Sequence, residues 1–262
     1  MKHNPIFRGA ATALITPLTE SGIDFDAFGR LIDWQIESGI DALVIAGTGS
    51  NDTDYAISLS RYACEAGADA LLVVTPYYNK ATQKGLIAMF TAIADAVTKP
   101  IILYNVPSRT GVNIEPATYA ALADHPNIAA IKEANGNISK IVETAALVGD
   151  RLDIYSGNDD QIVPILSMGG QGVISVLSNL LPGETSRLCH RFFQGDVAGS
   201  ARMQMDYLPL INALFSEVNP IPVKAAMAAM GWCENFLRLP LTPMEDAHWQ
   251  TLRALMAAQG LL

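Results

Sequence analysis

Basic side chains are scarce in this chain: 17 lysines and arginines face 26 aspartates and glutamates, for a net charge of −9 at pH 7. That balance argues against a nucleic-acid-binding surface, because backbone phosphates need clustered cations. It does not exclude a small anionic ligand, which one arginine or lysine can hold. Cysteine is nearly absent. Cys64, Cys189 and Cys233 are scattered, odd in number and outside any CxxC spacing, so neither a disulfide framework nor a metal site is expected, and a reducing, cytoplasmic setting fits. The four histidines (His3, His125, His190, His248) are dispersed, and structural or exposed roles are expected for them. No apolar run reaches the roughly 18 residues of a membrane span, and the opening MKHNPIFRGA lacks the apolar stretch of a secretory leader. No tract is of low complexity. What is present is 50% apolar and 16% charged over 262 residues, enough for one large domain or two modest ones.

Short apolar runs alternate with segments of helical period, the pattern of a parallel α/β protein. The runs that read as strands are 11–15, 42–46, 70–75, 100–105, 128–132, 152–156 and 172–176. Most are apolar throughout, as strands covered on both faces are. Amphipathic stretches lie between them at 24–38, 82–97, 115–123 and 139–148, with Asp24 and Thr82 placed as N-caps. After about Gly195 three helical segments follow (200–214, 220–230, 244–259). The expected organisation is a barrel domain over 1–195 and a C-terminal helical domain over 196–262. A doubly wound sheet is the alternative, but GTGSND at 47–52 is neither GxGxxG nor GxxxxGK[ST]. A TIM (β/α)8-type barrel is therefore expected, although only seven strands are read where eight are needed.

Chemistry in such a barrel sits at the C-terminal strand ends. Lys132 closes the apolar run NIAAIK. A lysine in poorly hydrated surroundings loses its proton more readily, and an amine must be neutral to attack a ketone. The bland readings are a snorkelling lysine or one paired with Glu133. Tyr104 ends another strand and suits proton relay, and Arg109 follows in the Pro-fixed turn NVPSRTG and suits a carboxylate. Each alone reads equally well as core or surface.

Taken together, TPYYN, YNVPSRTG, IKEANGN, GVISV and NPIPVK resemble the dihydrodipicolinate synthase family of the pyruvate-dependent aldolase superfamily, which also includes N-acetylneuraminate lyase. The resemblance runs in order along nearly the whole chain. It implies a (β/α)8 barrel with a C-terminal helical domain, assembled as a dimer of dimers. It also implies a condensation of pyruvate with L-aspartate 4-semialdehyde to 4-hydroxy-tetrahydrodipicolinate in lysine biosynthesis. By the same resemblance Lys132 forms the imine with pyruvate, so no cofactor is needed, and Tyr104 moves protons. Tyr78 relays them into a neighbouring subunit's site, Arg109 grips the semialdehyde carboxylate, and Ile174 and Gly157 line the pyruvate pocket.

The resemblance also locates the missing strand. Residues 41–44 match the start of the family's second strand and 45–52 match the end of its third, so roughly 30 residues, one α/β repeat, are absent between them. Aligned without a gap, Thr48 falls on the family's relay threonine, and Gly49 falls on a second threonine that helps bind the pyruvate carboxylate. The family's lysine feedback site draws on the absent segment, and Asn51 and Tyr77 are its remnants. Impaired turnover is expected. Two other readings stand beside this one: a related pyruvate aldolase or lyase acting on a sugar acid, against which Arg109 argues, and a catalytically dead paralogue.

Overall fold

A computed structural model describes residues 4–262; His3 lies outside them. Every run read as a strand forms one. The strands are β1 (Gly9–Ala13), β2 (Leu18–Thr19), β3 (Gly22–Ile23), β4 (Ala42–Val44), β5 (Leu71–Val74), β6 (Ile101–Asn105), β7 (Ile128–Glu133), β8 (Asp153–Ser156) and β9 (Gly172–Ser175). The helices are α1 (Phe25–Glu37), α2 (Thr53–Glu65), α3 (Gln83–Asp95), α4 (Pro107–Thr110), α5 (Pro116–Leu122), α6 (Ile138–Val148), α7 (Ile162–Ser167), α8 (Pro182–Phe193), α9 (Val197–Leu214), α10 (Ile221–Ala229) and α11 (Asp246–Ala258). Helix starts follow their caps. Asp24 accepts from the Ala27 N–H at 2.9 Å and Thr82 from the Gly85 N–H at 3.1 Å, contacts that stabilise a helix by about 1 kcal/mol each. The β2–β3 hairpin and helices α2, α4, α7 and α8 were not among the elements read from the sequence.

The chain forms two compact bodies that do not follow chain order. One comprises the stretch up to Arg8 with Ala46–Ile174. Its parallel strands run in the order β9-β8-β7-β6-β5, and their helix-facing apolar residues share a core with Phe90, Ile93, Leu122 and Ile141. Phe7 stacks on Tyr155 with ring centroids 4.2 Å apart, and the Tyr155 hydroxyl donates to the Phe7 carbonyl at 2.7 Å. The other body comprises Gly9–Ile45 and Ser175–Leu262, where β1 and β4 pair in parallel, Ala11 opposite Ala42. Its core joins Leu14 and Leu31 to Leu177, Leu210, Leu214 and Leu252. Asp41 is fully engaged there, accepting from the Ala10 N–H at 2.8 Å and Ser186 Oγ at 2.6 Å and pairing with His190 at 2.7 Å. The boundary expected near residue 195 falls inside this second body, between α8 and α9.

Seven parallel strands are thus found among the described residues, two in one body and five in the other. The chain leaves the second body after Ile45 and enters the first at Ala46, within one residue of the join read from the sequence. Val44 still pairs with Ala13 of β1. Four residues later the Thr48 N–H donates to the Leu72 carbonyl of β5 at 3.0 Å. One short segment therefore supplies the end of one strand position and the beginning of another.

Candidate active site

Parallel pairing of β6 with β7 sets Tyr104 opposite Lys132 and Asn105 opposite Glu133. Side chains alternate along a strand, so these two rungs point to opposite faces of the sheet. On one face the Lys132 Nζ lies 4.3 Å from the centre of the Tyr104 ring. Lys132 is 6% exposed. Burial is the main cause that brings its amine from 10.5 down to about 8; the charge of Asp159 opposes this and that of Arg109 reinforces it. At pH 7 about 10% of such an amine is neutral, against about 0.03% at the ordinary value. Burial raises the Tyr104 phenol, with Arg109 opposing, so it holds its proton at neutral pH.

On the other face Glu133 accepts from Asn105, Tyr119 and Asn135. It is therefore not the partner of Lys132, and the ion-pair reading of that lysine falls. Arg109 sits in the one-turn helix α4, started by Pro107 and closed by Gly111 at φ 73°. Thr110 of the same turn is tied to Thr75, at the end of β5, by a hydroxyl contact of 3.0 Å. The turn thereby presents Arg109 at the exposed rim, within electrostatic reach of both Tyr104 and Lys132.

The other expected residues divide. Gly157 is pressed against β7: its N–H donates to the Glu133 carbonyl at 2.7 Å, and a Cβ there would meet the Ala134 Cβ at 2.7 Å. That close approach carries the following residues, among them the buried Asp159, toward the end of the Lys132 strand. Ile174 is buried in β9. Tyr78 is 87% exposed and holds a left-handed backbone, φ 71°. Thr48 and Gly49 pack along β5. The expectation for them required the fused segment to lie beside β1, but from Thr48 onward it runs along β5. The Thr48 hydroxyl accepts from Ser60 of α2 at 2.9 Å, and a Cβ on Gly49 would lie 2.5 Å from the Val74 nitrogen. Asp159, Thr75, Thr110 and the Glu133 cluster were not singled out from the sequence. Only the alternation within IKE, which sends Glu133 away from Lys132, could have signalled any of them.

A groove of about 580 Å³ lined by Glu115, Pro116, Glu143 and Leu147 opens between α5 and α6, and none of these site residues lines it. No group of three or more His, Cys, Asp or Glu able to hold a metal occurs among the described residues. No helix among them is long and apolar enough to cross a membrane.

A buried lysine at the C-terminal end of a parallel strand, its amine brought down to about 8, backed by a tyrosine and overlooked by an arginine, is the arrangement of a lysine-dependent aldolase-type enzyme on an α/β scaffold. Comparison with known proteins narrows this. The chain belongs to the dihydrodipicolinate synthetase family, whose profile matches residues 6–49 and again 44–259. Residues 44–49 are thus matched twice, once as the end of the first piece and once as the start of the second. The chain is 48% identical to the 4-hydroxy-tetrahydrodipicolinate synthase of Clostridium perfringens over an alignment spanning 290 positions, covering 98% of this chain and 100% of the relative. It superposes on the dihydrodipicolinate synthase of Thermotoga maritima with a TM-score of 0.95 and 38% identity, over 98% of this chain and 100% of that one. It also matches the Acinetobacter baumannii enzyme, described as complexed with pyruvate, with a TM-score of 0.93 and 34% identity over 97% and 99% of the two chains. The fold is the family's TIM-barrel type with a C-terminal helical part, shortened inside the aligned region.

Proposed function

We propose that the chain catalyses the 4-hydroxy-tetrahydrodipicolinate synthase reaction, condensing pyruvate with L-aspartate 4-semialdehyde in lysine (diaminopimelate) biosynthesis. The observation that carries this is the desolvated amine of Lys132 in register with Tyr104. The neutral amine attacks the ketone carbon of pyruvate and expels water, giving an imine. Loss of a methyl proton gives an enamine, whose carbon attacks the semialdehyde's aldehyde. The semialdehyde's own amine then closes the ring and frees Lys132. The electron sink is the protein-bound imine, so the step draws on no cofactor. Tyr104, protonated at neutral pH, serves as donor and acceptor, and Gly157 and Ile174 bound the pyruvate pocket.

Tyr78, exposed on its own chain, completes the relay in another copy's site, so the reading includes a homo-oligomer; the family resemblance makes it a dimer of dimers in the cytoplasm. With the Thr48 hydroxyl held by Ser60, imine formation and turnover come apart: pyruvate is captured, and the later proton transfers are slow. A relay displaced by about 1 Å costs on the order of a hundredfold in rate.

Arg109 distinguishes this reading from a sugar-acid lyase. If its guanidinium holds the semialdehyde carboxylate, Arg109→Ala weakens that substrate by about 2 kcal/mol, roughly thirtyfold, and leaves pyruvate capture unchanged. Steady-state KM values for both substrates, with borohydride trapping of pyruvate, test this. Equal damage to both would make Arg109 structural.

A further inference from the structure

We propose that Glu133 is a positioning residue whose acceptor oxygens hold the ends of β6 and β7 together and thereby set Lys132 against Tyr104. The inference rests on the catalytic reading of Lys132 given above. Glu133 is 1% exposed, and Asn105 and Tyr119 are each 0% exposed. The Asn105 amide nitrogen donates to both carboxylate oxygens, at 3.0 and 3.2 Å. The Tyr119 hydroxyl donates to one at 3.0 Å, and the Asn135 N–H to the other at 2.9 Å. Asn105 also reaches forward: its Oδ1 accepts from the Ile114 N–H at 3.1 Å and its amide nitrogen donates to Asn113 at 2.9 Å. One carboxylate therefore joins the strand before the Arg109 turn, the segment after that turn, helix α5 and the loop after Lys132.

Burying an acid is costly; here burial lifts the Glu133 carboxyl to about 7 against the pull of its donors. An apolar residue would avoid that cost, but it would leave three donors unpaired and the two strand ends untied. The same rungs carry the chemistry on their other face. Asn105 and Glu133 are the direct chain neighbours of Tyr104 and Lys132, so a shift of one pair displaces the other. In glutamine at 133 the Oε1 can still accept from Asn105 and Asn135, while its amide donates to a reoriented Tyr119 hydroxyl.

The test compares the full chain with Glu133→Gln, Glu133→Ala and Tyr119→Phe by cooperative melting and by the rate of borohydride trapping with pyruvate. Glu133→Gln is expected within about threefold of the unmodified chain. Folded Glu133→Ala is expected slower by about thirtyfold or more, in line with the sensitivity of reaction rates to sub-ångström placement. Tyr119→Phe is expected between them. Trapping by folded Glu133→Ala at the unmodified rate overturns the proposal, as does a Gln variant no better than Ala. If the Ala variant does not melt cooperatively, Tyr119→Phe decides, and an unchanged rate there overturns it. Failure of the unmodified chain to trap pyruvate removes the catalytic reading itself, and this proposal with it.

Discussion

Lys132→Met is expected to abolish turnover and to make the protein more stable. Without the amine no imine forms, and activity should fall on the order of 10⁴-fold or more, as it does when a covalent nucleophile is removed. The stability gain follows from the same burial that activates the amine. Lowering a lysine from 10.5 to about 8 means that the folded state disfavours the ammonium by about 3 kcal/mol. Contact of the cation with the Tyr104 ring returns about 1 kcal/mol, so methionine at this position should gain about 2 kcal/mol at neutral pH and raise the melting temperature by a few degrees. The sign can be checked against pH. Between about 8 and 10.5 the unfolded chain binds the proton that the folded one has released, so the stability of the lysine form rises with pH there. The advantage of methionine is therefore full below about pH 8 and shrinks toward pH 10.5. A destabilised variant would mean that the lysine is held as a well-paired cation, which is incompatible with nucleophilic attack.

Gly49→Thr is expected to destabilise the fold by about 3 kcal/mol without improving pyruvate affinity. Alignment alone makes this substitution look like a repair, since it returns a threonine where the family has one. The local geometry opposes it. The segment lies so close to β5 that a Cβ would stand 2.5 Å from the Val74 nitrogen and 3.0 Å from its carbonyl oxygen. Both are backbone atoms, so no rotamer change relieves the contact. The segment must lift away and lose the Thr48 N–H bond to Leu72. Restoring the hydroxyl therefore requires restoring the absent α/β unit. Thermal melting and pyruvate KM check this; a stable variant with tighter pyruvate binding would show that residues 47–50 hold the second-strand position after all.

Much of the scaffold was legible in the sequence. Runs such as NIAAIK and IILYN are apolar at consecutive positions because both faces of their strands are covered, and Asp24 and Thr82 mark helix starts by a hydrogen bond that their residue type makes possible. The hairpin at 18–23 was not legible, because two-residue strands carry no alternation to read. Helix α8 was missed because few residues of PGETSRLCHRFF are apolar, and its buried face is built in part from Thr185 and Ser186. The grouping of β1, α1 and β4 with the C-terminal helices depends on contacts such as Asp41 with Ser186 and His190, far apart in the chain.

The site divides in the same way. Lys132 and Tyr104 could each be nominated from a strand end, but their apposition depends on register, which no single strand reveals. Which way Thr48 faces was undetermined, because the fused segment matches two strand positions. The backbone bond to Leu72, the hydroxyl contact with Ser60 and the approach of Gly49 to Val74 distinguish them.

Lys132 is expected to capture pyruvate even though the barrel lacks a unit. Incubating the full chain with pyruvate and borohydride, then mapping the added mass by peptide mass spectrometry, measures this directly. The expected result is one pyruvate-derived mass on the peptide containing Lys132, forming faster as pH rises toward about 8, and absent from Lys132→Met. A folded chain that takes up no label, or takes it up at any other lysine, would contradict it.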